Sequence, residues 1–259
     1  MPFVTKNSSN LTENSTPNSL NLPNSSEKLL KITYSYNGAK FCGSQSQPNG
    51  RSVEDALKDA LGHVGLFGSL TTSSRTDKGV HALSQVSTTP CPDFWDLRRL
   101  KELINRHATP YIYVKKLEFV DENFHPRFSA KARSYRYILN HGEFDPFLAD
   151  FCHFYPNLDI NLLNSVLSNF IGEHDFSVFM KVGSDIKSPV REIYKAYAFR
   201  HKNLTIIKFT ANGFLRSQVR LMVANALKSL KTSQEISFAK ALTRIPAPPN
   251  GLYLERIFY

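Results

Sequence analysis

The chain has 259 residues, 41% hydrophobic and 21% charged, which suits one large or two small globular cores. It has no uninterrupted apolar run long enough to cross a bilayer as a helix. Lysine and arginine total 32 against 22 acids, and a net charge of +10 with a pI near 9.5 favours a polyanionic partner such as RNA or DNA.

Residues 1–28 are mostly Asn, Ser, Thr, Pro and Leu, and their charges (Lys6, Glu13, Glu27, Lys28) cancel. So little apolar content predicts a disordered tail, with the whole positive charge on residues 29–259. Leu29 to Tyr36 alternates and is β-rich, so it predicts a strand ended by the Asn37-Gly38 turn. Val53, Ala56, Leu57, Ala60 and Leu61 recur at helical spacing behind Ser52, a suitable N-cap. Short strands are expected at Leu70–Thr72 and Gln85–Thr88, flanking a polar loop. Asp93 or Asp96 caps a helix carrying Leu97, Leu100 and Ile104, and a strand follows from Tyr111 to Val120. A further strand covers Lys131, Arg133, Tyr135 and Tyr137, whose spacing of two puts them on one face.

Asp145-Pro146-Phe147 ends that hairpin, and Asp159 caps a helix with Leu162, Leu163, Val166, Leu167 and Phe170. His174 and Asp175 are adjacent, so their side chains diverge, and we read them as structural. Arg191–Arg200 and Leu204–Thr210 form a hairpin around His201-Lys202-Asn203. A helix starting near Phe214 would put Arg216 and Arg220 four apart on one face. Thr232 and Glu235 read as a capping box for a last helix with Ile236, Ala239 and Leu242, before a C-terminal strand. Cys42, Cys91 and Cys152 are far apart, which argues against a disulfide framework or zinc site and for reduced thiols.

The loop Ser73-Ser74-Arg75-Thr76-Asp77-Lys78-Gly79-Val80-His81-Ala82 concentrates chemistry. A carboxylate on a loop held between strands can act as nucleophile or base, and Gly79 permits a positive φ beside it. By spacing alone the loop also reads as a turn with a surface ion pair. Four further stretches stand out: Tyr36-Asn37-Gly38 with Phe41-Cys42-Gly43-Ser44-Gln45-Ser46-Gln47, Phe124 to Tyr137, Ala211 to Arg220, and Ala247 to Leu254.

Together these resemble the TruA family of tRNA pseudouridine synthases. The family signature Gly-Arg-Thr-Asp-x-Gly-Val-His falls on residues 74–81, with Ser74 in place of glycine. Asn37 stands for the usual aspartate, Ser44 for tryptophan, Pro126 for alanine, Gln218 for methionine and Leu221 for asparagine. The matches run in the family's order over residues 29–259, and the asparagine-rich tail gives the chain a eukaryotic cast.

The resemblance implies an α+β fold of two similar α/β lobes, each with an antiparallel sheet, flanking a central RNA-binding cleft. We place the lobes at residues 29–122 and 123–259. It implies isomerisation of uridine to pseudouridine in tRNA, in the anticodon stem-loop for bacterial members, without cofactor or metal. It makes Asp77 the nucleophile, sets Tyr135 against the flipped uracil with its hydroxyl as a candidate to remove the C5 proton, and pairs Arg220 with the carboxylate. Arg75 and Arg133 then contact RNA, and Leu252 borders the base pocket. The residues leave open whether attack falls on the base or the ribose. Family members are often homodimers; the reduced thiols point to an intracellular site, cytoplasm or nucleus ahead of mitochondrion, since an arginine-free tail with acids makes a poor transit peptide. The rival reading is a non-catalytic RNA-binding protein on the same scaffold, against which Asp77, Tyr135 and Arg220 are all in place.

Overall fold

The computed structural model describes residues 26–48, 50–183 and 186–259; the tail up to residue 25, where disorder is expected, lies outside them. β1 (Glu27–Tyr36) alternates as its pattern predicts, burying Leu30, Ile32, Tyr34 and Tyr36. α1 (Val53–Gly62) begins at a capping box in which the Ser52 hydroxyl accepts from Asp55 N–H and the Asp55 carboxylate accepts from Ser52 N–H, both at 3.1 Å. β2 (Thr71–Thr72) is short, and β3 (His81–Pro92) is longer than expected because it starts directly behind the polar loop. α2 (Leu97–Ala108) is capped by Asp96, which accepts from Arg99 N–H at 2.7 Å. β4 (Ile112–Val120) closes this half.

β5 (Ala132–Asn140) pairs in parallel with the short β6 (His153–Phe154), so Asp145-Pro146-Phe147 turns the chain without making an antiparallel hairpin. α3 (Ile160–Ser168) starts at Asp159 and is followed by β7 (Gly172–Asp175). β8 (Val190–His201) and β9 (Leu204–Ala211) form the expected hairpin, with Lys202 in the left-handed region at φ 52°.

α4 (Gln218–Thr232) starts four residues later than the spacing suggests. Ser217 has φ 59° and ψ 9°, so residues 214–217 form a turn and Arg216 does not share a helical face with Arg220. The helix expected after Thr232 is absent. Residues 233–248 run as an irregular strap along α4, because α4 side chains bind its backbone. Asn225 bonds Thr243 through both its amide atoms at 3.0 Å, and Lys228 donates to the Leu242 carbonyl at 2.7 Å. β10 (Leu252–Phe258) then ends the chain's secondary structure.

Among the described residues all ten strands join one sheet in the order β4-β1-β3-β10-β5-β9-β8-β7, with β2 added beside β3 and β6 beside β5. Strands from residues 27–120 occupy one side and those from 132–258 the other. They meet where β10 runs parallel to β3, Tyr253 opposite His81 and Leu254 opposite Ala82. The antiparallel sheets of the two halves are therefore continuous through this seam. α1 and α2 pack against each other in the first half and α3 and α4 in the second, over one contiguous core.

Gly251 leads into β10 at a tight approach. A Cβ there would lie 2.8 Å from Tyr137 Cζ and 3.0 Å from the Ile138 carbonyl oxygen. Only glycine lets β10 close onto β5 at that point.

Candidate active site

The loop between β2 and β3 is braced from three sides. Ser73 N–H bonds the Val86 carbonyl at 2.9 Å and the buried Gln85 amide donates to the Ser74 carbonyl at 2.8 Å, which ties the loop to β3. Ser44 clamps Thr76, its hydroxyl accepting from Thr76 N–H at 2.8 Å and its own N–H donating to the Thr76 carbonyl at 3.1 Å. The Tyr36 hydroxyl, at the end of β1, meets Thr76 Oγ1 at 2.8 Å, and burial pushes that phenol up to about 12 against the bonds from Thr76 and Gln85. Gly79 has φ +82°, and a Cβ there would stand 2.9 Å from Pro249 Cγ. The loop's glycine is needed for conformation and for space.

This bracing presents Asp77 to the N-terminal end of α4. Arg220, in the first turn of that helix, places Nη1 2.9 Å from Asp77 Oδ2. Ser217, immediately before the helix, donates its hydroxyl to the same Oδ2 at 2.7 Å. Asp77 Oδ1 has no hydrogen-bond partner among the described residues. Arg220 is itself fixed by the strap, since its Nε donates to the Ala247 carbonyl at 2.7 Å and its carbonyl accepts from Ala247 N–H at 3.1 Å. A helix N-terminus and a guanidinium make a favourable place for a carboxylate. Its side chain is 27% exposed, so it remains reachable from solvent.

Tyr135 lies on β5 opposite Leu254 of β10 and Phe209 of β9. Its ring meets Phe214 edge-on at 5.1 Å. Burial raises its phenol well above the ordinary range, and the Tyr36 and Asp77 charges add to that against Arg133 and Ser74. Tyr135 is therefore a neutral phenol at physiological pH, within reach of the Asp77 charge. Leu252 is buried at the start of β10, opposite Tyr137.

The expected row of Lys131, Arg133, Tyr135 and Tyr137 is not a single RNA-facing surface. Lys131 precedes the strand. The Tyr137 ring is fully buried and its hydroxyl donates to the Pro248 carbonyl at 2.9 Å. Arg133 bonds the Ser74 hydroxyl, the Asn212 carbonyl and the Arg127 carbonyl at 3.0, 3.2 and 2.8 Å. Burial first, and the charge of Arg127 with it, lower its pKa. Ser74, in the position of the family glycine, is thus the anchor that connects Arg133 to the Asp77 loop. Arg75 and Arg216 are exposed beside the site. His174 stacks on Phe238 at 4.1 Å and bonds the Ile171 carbonyl, a structural placement as expected.

Sequence reasoning missed Ser217, Tyr36 and the clamping role of Ser44. Ser217 falls at a variable position of its motif, and a serine ahead of a helix signals a cap rather than a partner for a distant carboxylate. Among the described residues no cluster of three or more His, Cys, Asp or Glu could hold a metal ion, and no helix is long and apolar enough to cross a membrane.

Residues 166–259 match a family model described as tRNA pseudouridine synthase. The chain is 44% identical over 238 residues to tRNA pseudouridine synthase A of Campylobacter jejuni, an alignment covering 89% of this chain and 99% of that protein. It is 38% identical over 245 residues to tRNA pseudouridine synthase A of Helicobacter pylori, covering 90% of this chain and all of that protein. Both relatives are bacterial, so the eukaryotic cast of the tail finds no support in them.

Proposed function

The chain belongs to the TruA family of tRNA pseudouridine synthases, and from that membership we propose that it isomerises uridine in the anticodon stem-loop of tRNA with Asp77 as nucleophile. It is an isomerase acting on tRNA uridine. The reaction breaks the N1–C1′ glycosidic bond, turns the uracil and joins C5 to C1′, while C5 gives up a proton and N1 gains one. Atoms and electrons balance within the nucleotide, so the proposed chemistry calls for no metal, redox cofactor or activated cosubstrate.

The observation that carries this reading is the pairing of Asp77 with Arg220, 143 residues away in sequence, at 2.9 Å. With Oδ2 occupied, Oδ1 is the oxygen offered to the base or the ribose carbon. Reaching a stacked uridine costs a few kcal/mol of unstacking, which packing in the pocket offsets. We assign that packing to Tyr135, supported by Leu252. A buried neutral phenol suits stacking and hydrogen bonding better than service as a free phenolate base. Arg75, exposed on the loop, is assigned to RNA phosphate or to the gap left by the flipped base. Arg133 is assigned to supporting the Asp77 loop through Ser74 rather than to direct RNA contact. The two halves, residues 29–122 and 123–259, are assigned as lobes on either side of the RNA.

Pseudouridine mapping in total RNA from cells with and without the gene tests the substrate. Loss of signal at anticodon stem-loop uridines is expected. An unchanged map there, with loss elsewhere, would move the assignment to another RNA.

A further inference from the structure

We infer that Ser217 is a positioning residue that fixes which oxygen of Asp77 reacts. The inference rests on Asp77 being the nucleophile. Ser217 adopts a left-handed backbone, φ 59° and ψ 9°, which glycine enters freely but L-residues other than asparagine and aspartate rarely do. It also sits where a serine ordinarily caps its own helix by accepting from the first-turn amides, and it makes no such bond. Its hydroxyl is turned instead to Asp77 Oδ2, 2.7 Å away and 140 residues distant in sequence. Two locally favourable arrangements are thus forgone for one contact.

The surrounding turn enforces this. The buried Gln218 amide oxygen accepts from Leu215 N–H at 2.7 Å, Gln218 N–H donates to the Leu215 carbonyl at 3.1 Å, and Lys181 N–H donates to the Arg216 carbonyl at 3.1 Å. Strain that persists because its surroundings over-determine it is a mark of a functional position.

The consequence for Asp77 is geometric. Arg220 alone would let the carboxylate pivot about one ion pair. A second donor on the same Oδ2, arriving from a different backbone position, fixes the side-chain torsion and with it the place of Oδ1. Nucleophile placement to within a fraction of an ångström is worth orders of magnitude in rate. Ser217 touches neither base nor sugar in this account and acts through Asp77.

The test compares Ser217→Gly, Ser217→Asn and Asp77→Asn as full-length proteins on a tRNA substrate. Single-turnover rates, tRNA affinity and thermal midpoints are measured for each. Ser217→Gly keeps the left-handed turn and loses the hydroxyl. It is expected to lower the single-turnover rate about 10- to 100-fold, the worth of one hydrogen bond to a charged group, with unchanged tRNA affinity and an undiminished midpoint. Ser217→Asn, which tolerates the left-handed turn and carries an N–H donor, is expected to recover part of the rate. A wild-type rate in Ser217→Gly with an inactive Asp77→Asn would overturn the role of Ser217 alone. So would a rate loss matched by lost affinity or a lowered midpoint. An active Asp77→Asn would instead remove the nucleophile assignment beneath it.

Discussion

Ser44 shows how single residues hold this site. It stands where the family pattern has tryptophan, and its hydroxyl and amide together bracket Thr76 beside Asp77. Ser44→Ala removes the acceptor for Thr76 N–H, at a cost of about 1–3 kcal/mol if that amide is left unpaired. A fall in the thermal midpoint of about 2–4 °C per kcal/mol is expected, accompanied by a slower reaction as the loop loosens. A calorimetric scan checks the first and a pseudouridine assay the second. Gly251→Ala is expected to cost about 1–3 kcal/mol by overpacking, since its Cβ would press on the Tyr137 ring; chemical denaturation reads this directly. At this scale the departures Ser44, Ser74 and Gln218 were visible in the sequence as departures, but their work was not. Each bonds either a residue dozens of positions away or a turn that no local pattern encodes.

Among the elements, β3 and β10 carry the junction, and His81 is buried beside it. Its Nδ1 accepts from Gly38 N–H at 3.1 Å, so the proton sits on Nε2, which donates to the Asp150 carbonyl at 2.8 Å. The ring stacks on Tyr253 at 4.6 Å. Burial lowers its pKa, against the carbonyls of Asp150 and Asn250 and the Asp150 charge. The folded state therefore favours neutral His81 more than the unfolded chain does. The stability this contributes is present above the ordinary histidine value of about 6.5 and lost as pH falls from there through the folded value. Thermal midpoints are expected to drop from pH 7.5 to 5. His81→Phe, which keeps an aromatic ring on Tyr253, should start lower and show a flatter decline; an equally steep decline would assign it to other groups. Strands and helices with simple periodicity, such as β1, α1 and α3, were legible from sequence. The start of α4 and the strap after it were not, because Ser217 interrupts the first and α4 side chains take up the backbone of the second.

For the whole molecule, the family resemblance implied two α/β lobes with separate antiparallel sheets, whereas the strands of both halves share one sheet. The joining pair, β3 with β10, is parallel and separated by most of the chain, and no local pattern announces such a pairing. The net charge of +10 gives a prediction at this scale. Affinity for tRNA should fall steeply as salt rises, linearly in log–log form, with each neutralised phosphate adding about 0.7–0.9 to the slope. Titrations from low to high salt check it, and a flat response would mean that the positive surface does not meet the RNA backbone. The Glu255 network adds an acid limit. Burial alone would raise this carboxyl, but bonds from Arg136, Lys208 and Ser134 outweigh it and hold it below the usual range. Its stabilisation is thus present above about pH 4.3 and lost as pH falls below that. Glu255→Gln should remove that part of the acid-unfolding curve.

Asp77 carries the proposed chemistry. The most direct measurement is single-turnover pseudouridine formation by Asp77→Asn on full-length tRNA, with tRNA binding followed in the same samples. The amide keeps the size and can still accept from Ser217 and Arg220, but it is no nucleophile. No pseudouridine with undiminished tRNA binding is the predicted result; conversion at the wild-type rate would contradict it.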